Sequence, residues 1–189
     1  DLFCGRHSSG NVLRRHGYTV ISLDNDGRRN PTHCCDIENW EYTAYPPGYF
    51  SIITASPPPC TEYSRAKTKG IRDLELADRI VKKTLEIIHY FNPQVWWLET
   101  PRNGILATRD FMRDYTYVDV DYCQFEECGY EKPTRFFGSA HLKDLASIKC
   151  DFRTCTSLVP PRVDQPEGPR RHRWAKGGHT GCVHREMAY

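Results

Sequence analysis

Between residues 49 and 98 the hydrophobic period of the chain changes twice, and that restricts it to few folds. Residues 49–55, Tyr-Phe-Ser-Ile-Ile-Thr-Ala, are an apolar and β-branched run that reads as a short buried strand. Over 73–92 the period becomes helical. Leu74, Ala77, Ile80, Val81, Leu85, Ile88 and Phe91 share one face, Asp73 is placed to cap the start, and Pro93 ends the run. Residues 95–98, Val-Trp-Trp-Leu, return to a buried strand that delivers Glu99. The same alternation is expected towards the N-terminus. Residues 1–5 look like a strand end entering a glycine turn, 8–16 suit a helix burying Val12 and Leu13, and 18–23 a second strand ending in Asp24-Asn25-Asp26. Residues 117–125 and 135–137 supply two more strand candidates. Alternating elements of this kind predict a three-layer α/β, Rossmann-like domain: a mainly parallel sheet flanked by helices.

From residue 150 the pattern fails, and Pro, Gly, Arg and His dominate without periodicity. The expected organisation is one domain over 1–149 and a loop-rich appendage over 150–189. A chain of 189 residues holds one proper core. No run approaches the roughly 18 apolar residues of a membrane span, and no membrane partner is expected. Nine cysteines, odd in number and irregularly spaced, argue against a secreted disulfide framework and for a reducing, intracellular compartment. That compartment would be the nucleus in a eukaryote, and otherwise the cytoplasm or nucleoid. The chain opens without Met and stops at Tyr189. It reads as a monomeric catalytic segment of a longer polypeptide with other domains.

The strand over 49–55 runs into Ser56-Pro57-Pro58-Pro59-Cys60. Each Pro locks its own φ and restrains its predecessor, so the Cys60 thiol is aimed in a fixed direction at the carboxyl end of a strand. Open α/β sheets place their chemistry there. A structural cysteine in a proline-rich loop is the plainer alternative. The small-residue turn after Phe3, with Cys4, Gly5, Ser8 and Gly10, lets backbone approach a nucleoside closely at a helix N-terminus. Asp24 stands about 20 residues on, where an acid accepts from ribose hydroxyls. Asp36 follows a third short segment and suits an adenine amino group. Singly, each acid is more often a cap or a solvated loop residue.

In this order, these residues resemble the DNA (cytosine-5) methyltransferases, which use S-adenosylmethionine, and most closely their compact phage-like and mobile-element branch. Asp1-Leu2-Phe3-Cys4-Gly5 is similar to the family's first cofactor motif, and Pro58-Pro59-Cys60 with Ser64 to its nucleophile motif. Glu99 before Thr100-Pro101 sits where the family has Glu-Asn, and Lys132-Pro133-Thr134-Arg135 where it has an arginine-rich strand. The resemblance implies a class I methyltransferase fold. It implies a thiolate of Cys60 adding to C6 of a flipped-out cytosine and Glu99 holding N3; Arg135, or Arg65 if its loop closes, is the candidate for lowering the thiol pKa. Burial would keep Glu99 protonated for that purpose. It assigns the cofactor to Phe3, Cys4, Gly5, Ser8, Gly10, Asp24, Asn25, Asp36, Ile37, Ser56 and Pro58. His7 replaces a customary glycine, Thr100 replaces asparagine, and the last family motif is expected near 185–189, where the chain stops.

Double-stranded DNA is the expected partner. Arg65, Lys67, Lys69 and Arg72 surround Gly70 just after the nucleophile, in a loop suited to closing over a phosphate backbone or simply to solvation. Lys132 and the tail residues Arg170, Arg171, Arg173, Trp174 and Lys176 add basic groups and a stacking ring. The short tail predicts a short recognition site, about a dinucleotide. No metal is assigned. Cys150-x4-Cys155 and Cys182-x-His184, with His172 and His179 nearby, are loose zinc spacings beside the alternative of free thiols and solvated histidines. Two other readings stay open: the same chemistry on tRNA, and a catalytically impaired DNA-binding relic.

Overall fold

The computed structural model describes residues 1–57, 60–65, 67, 70–125, 130, 132–144, 147–151, 153, 155, 157–159 and 171–172. The strand–helix–strand unit forms as its periodicity dictates. Strands β3 (Ile52–Ala55) and β4 (Val95–Pro101) pair in parallel, from Ile52 opposite Val95 to Ala55 opposite Leu98. Helix α3 (Leu74–Phe91) crosses between them. The Asp73 carboxylate accepts from the Leu76 N–H at 2.9 Å, satisfying one of the free donors at the helix start. Asn92 closes the helix in a left-handed conformation with φ 46°, its N–H reaching the Ile88 carbonyl. Ala77, Val81, Leu85, Ile88 and Phe91 form the buried stripe.

On the N-terminal side the sheet is built economically. Strands β1 (Leu23–Asp24) and β2 (His33–Cys34) pair in parallel. Leu2 bridges both Leu23 and Ala55, so one residue joins this pair to β3. Helix α1 (Ser8–Arg15) follows, with Val12 and Leu13 buried. Residues 18–22 were expected as strand but do not pair as one. The Ser22 hydroxyl and amide instead exchange hydrogen bonds with the Thr32 side chain and amide.

The other half departs from the expectation of a mainly parallel sheet. Strand β6 (Pro133–Gly138) runs antiparallel to both β4 and β5 (Tyr117–Asp121). A short link joins β5 to β6, too short for the helical crossover that a parallel pair needs. The expected strand over 117–125 ends at Asp121 because Tyr122–Gln124 turn into a 3-10 helix. The sheet is therefore mixed, in the order β2, β1, Leu2, β3, β4, β6, β5.

The pleat sorts β4 onto two faces. Trp96 and Leu98 join the main core with α3, Leu106, Met112 and Phe137. Trp97 faces a smaller core of Val118, Val120, Tyr122 and Phe136. Glu99, directly opposite Phe136, ends that second face. Beyond residue 149 a two-stranded pair, β7 (Leu158–Val159) with β8 (Arg171–His172), is the regular structure among the described residues. None of the described helices is long and apolar enough to cross a membrane.

Helix α2 (Cys60–Tyr63) was not expected from sequence. It is held by its last residue. Tyr63 is fully buried, and its hydroxyl donates to Asp78 on α3 at 2.8 Å. Arg109 also donates to the Asp78 carboxylate from two nitrogens. Burial and the neighbouring carboxylate push the Tyr63 hydroxyl well above the ordinary phenol range, so it stays a donor. Asp78→Ala should cost about 3 kcal/mol in urea unfolding, because it strands a buried hydroxyl and a guanidinium. Lys83→Ala, which breaks a pair with the exposed Glu86 carboxylate, should cost under about 1 kcal/mol.

Candidate active site

A cleft of about 430 Å³ opens at the carboxyl ends of β1, β3 and β4, where the turns after Leu2, Asp24 and Ala55 converge on the last residues of β4. Its volume lies within the range of small-molecule sites. Phe3, Cys4, Gly5, Ser8, Asp24, Asn25 and Ser56 line it, as the sequence predicted for a cofactor, and so do Cys60 and Glu99.

The turn after Leu2 is wound unusually. Phe3, Gly5 and His7 all have positive φ, at 58°, 47° and 57°. For Phe3 and His7 this is a strained conformation that side chains disfavour. Asp24 holds the turn: Oδ2 accepts from the Gly5 N–H at 2.8 Å, and Oδ1 from the Asp26 N–H at 2.9 Å. A carboxylate has further lone pairs for a ligand hydroxyl. His7 fills its unfavourable position by donating from Nε2 to the Arg29 carbonyl at 2.6 Å, which ties the turn to the one after β1.

Three residues assigned to the cofactor lie elsewhere. Gly10 packs α1 closely against its neighbours, since a Cβ there would sit 2.9 Å from the Asp1 carboxylate and 3.3 Å from Val20. Ile37 is a core residue, and Asp36 caps a 3-10 turn by accepting from the Glu38 N–H. Neither lines the cleft. Pro58 lies outside the described residues.

Cys60 begins α2, its N–H directed at the Pro57 carbonyl at 3.3 Å. Burial pushes its thiol pKa up, the Glu99 charge pushes it further, and Lys132 opposes them. Glu99 is the hub of the cleft wall. Its Oε1 accepts from Lys132 Nζ at 2.5 Å and from the Tyr122 hydroxyl at 3.1 Å, and its Oε2 accepts from the Ser56 hydroxyl at 3.3 Å. The pair is largely buried, with side chains 11% and 26% exposed. Lys132 makes Glu99 one half of an ion pair, where the sequence suggested a protonated acid. Thr100, next in the strand, is buried with its hydroxyl unpartnered among the described residues.

Arg135 is not brought to the thiol. It pairs with Asp119 directly across the β5–β6 ladder at 2.7 Å, and its guanidinium lies 3.8 Å over the Tyr117 ring. Lys132, assigned to nucleic acid, takes the place beside Cys60 and Glu99 instead. Tyr122 was given no role from sequence, where it figures only within the Asp121-Tyr122-Cys123 stretch that resembles the phage-like branch.

The basic loop after α2 is partly self-engaged. Lys67 pairs with Glu62 at 2.6 Å, and Arg72 donates to the Glu62 and Lys67 carbonyls. Arg65 is exposed. Lys69, Arg170, Arg173, Trp174, Lys176, His179, Cys182 and His184 lie outside the described residues, as do the side chains of Arg171 and His172. Cys150 and Cys155 lie away from the cleft, close to Cys123.

Over 151 residues the chain is 28% identical to a probable DNA (cytosine-5)-methyltransferase of Frog virus 3 (isolate Goorha). The match covers 72% of this chain and 68% of that protein. It bears out the resemblance read from the cofactor turn and the Pro-Pro-Cys motif. No family model matches the chain.

The electrostatics of Cys60 predict opposite effects from its two charged neighbours. Glu99→Gln should let the thiolate form at lower pH than in the parent, and Lys132→Met at higher pH. Alkylation of the Cys60 peptide by iodoacetamide across pH, followed by mass spectrometry, reads both shifts. Equal profiles in all three proteins would mean that neither charge acts on the thiol.

Proposed function

We propose that this chain, a relative of the DNA (cytosine-5)-methyltransferases, transfers a methyl group from S-adenosylmethionine to C5 of cytosine in DNA, on a class I methyltransferase scaffold. The observation that carries this reading is the meeting of Cys60, Glu99 and the Asp24-held turn in one cleft. The residues suit the cofactor. The turn offers a left-handed glycine backbone, Asp24 has acceptor capacity for ribose hydroxyls, and Phe3 supplies an apolar face at the cleft. When bound, S-adenosylmethionine supplies an electrophilic methyl group. Phe3, Gly5, Ser8, Asp24 and Asn25 would hold it.

The chain's own residues would act on the base. Cytosine C5 is a poor nucleophile, and covalent addition at C6 remedies that. The Cys60 thiol loses its proton and its sulfur bonds C6, leaving C5 electron-rich enough to take the methyl group. Transfer of the C5 proton to solvent water then re-forms the C5–C6 double bond, breaks the C6–sulfur bond to expel the Cys60 thiolate, and releases 5-methylcytosine. Lys132 stabilises the thiolate by charge. Glu99 faces N3, where negative charge develops during addition, and a proton on its carboxyl would neutralise it. A base inside a duplex is out of reach, so the cytosine must be flipped into the cleft. Arg65, an exposed side chain just after α2, would meet the phosphate backbone. We assign residues 1–149 to catalysis and 150–189 to target recognition.

Duplex DNA carrying 5-fluorocytosine traps such an enzyme, because fluorine at C5 cannot leave as a proton does. The full chain with S-adenosylmethionine should form a covalent adduct resistant to denaturant, and Cys60→Ser should abolish both adduct and methyl transfer. An adduct with tRNA but not DNA would move the substrate to RNA. No adduct and no transfer on either would end the enzyme reading and leave a DNA-binding relic.

A further inference from the structure

Away from the cleft, three cysteines from separate stretches of chain converge. Cys123 lies in the 3-10 turn that follows β5, and Cys150 and Cys155 come after the end of the sheet. Their sulfurs all lie within 4.8 Å of one another. Cys123 is buried, and the other two are half-buried. The backbone delivers each one by a separate device. The Cys150 N–H donates to Asp121 Oδ2 at 2.8 Å, just after Ile148 bridges Val120 at the sheet edge. The Cys155 N–H closes a turn onto the Asp151 carbonyl at 3.0 Å. Ser157 donates to the Cys123 carbonyl at 2.8 Å. Gln124 turns its amide nitrogen towards the sulfurs of both Cys123 and Cys155, at 3.7 Å each.

We propose that Cys123, Cys150 and Cys155 are three ligands of a structural zinc site. Sulfur donors select a soft or borderline ion over magnesium or calcium. Zinc–sulfur bonds of about 2.3 Å put tetrahedral sulfurs about 3.8 Å apart, so a small rotation of half-buried side chains closes the set. The Gln124 amide is the kind of outer donor that supports a metal thiolate. Zinc entry releases one proton to solvent per ligating thiol. A further ligand or water completes the tetrahedron.

The site would act on the cleft through position. Tyr122, next to Cys123, donates to Glu99, and Asp121 before it pairs with Arg102 at 2.7 Å. An ion on Cys123 thus pins the turn that carries one of Glu99's donors.

The proposal is independent of the reaction in the cleft and is tested without it. The full chain, produced with zinc in the medium and purified under reductant without chelator, should retain about one zinc per chain by elemental analysis. Cobalt(II) exchange should give a thiolate-to-metal charge-transfer band. Cys150→Ser and Cys155→Ser should each weaken that band and the zinc content, while Cys34→Ser, at an exposed thiol, should leave both unchanged. Chelation should lower the melting temperature of the parent and not of Cys155→Ser. A folded parent that retains no zinc, or a cobalt band untouched by both cluster variants, overturns the proposal. So does a disulfide between two of these cysteines under reductant.

Discussion

The aim of the Cys60 thiol depends on one buried carboxylate. A four-residue helix has no stability of its own, since nucleation costs more than so few backbone bonds return. Helix α2 exists because Tyr63, at its end, is buried and bonded to Asp78, while the Tyr63 carbonyl accepts from the Ile105 N–H at 2.9 Å. Arg109 closes the same carboxylate from the segment after β4. The helix, the long crossover α3 and the chain leaving β4 are thereby locked together beside the cleft. The prolines before Cys60 restrict where the chain can go, and Asp78 decides where it stops.

Glu99 and Cys60 form a charge-coupled pair within that frame. The carboxylate disfavours the thiolate, and Lys132 partly offsets it. The coupling is reciprocal: a proton gained by Glu99 favours ionisation of Cys60, and ionisation of Cys60 favours a proton on Glu99. At rest burial and the Glu99 charge hold the proton on sulfur. In the proposed reaction the thiolate and a proton-donating Glu99 are wanted together, so one shift in proton position serves both. This reconciles an ion-paired Glu99 in the structure with the protonated acid that addition to cytosine calls for.

Periodicity made much of this legible. Helix α3, its Asp73 cap, strands β3 and β4 and the delivery of Glu99 follow from apolar spacing, because each buries one stripe in one core. The mixed sheet did not follow, since strand direction is decided by links rather than by pattern. Lys132 took the place expected of Arg135 for a similar reason. Which residue of β6 lies opposite Asp119 depends on cross-strand register, and that register gives Arg135 a carboxylate partner while leaving Lys132, just ahead of the strand, free to reach Glu99. The acid at residue 36 resembled a ligand because caps and ligand acids share residue types. Helix α2 was hidden because its support comes from residues 15 and more positions away.

The boundary drawn at residue 150 from composition also has a physical counterpoint. Three consecutive residues, the last of β5 and the two after it, reach different anchors: Asp121 takes Arg102 and the Cys150 N–H, Tyr122 takes Glu99, and Cys123 joins the thiol cluster. The start of the Pro- and Gly-rich region is therefore sewn to the turn that supports the cleft wall. A displacement of Cys150 or Cys155 would act on Tyr122 through Asp121 and Cys123, which flank it.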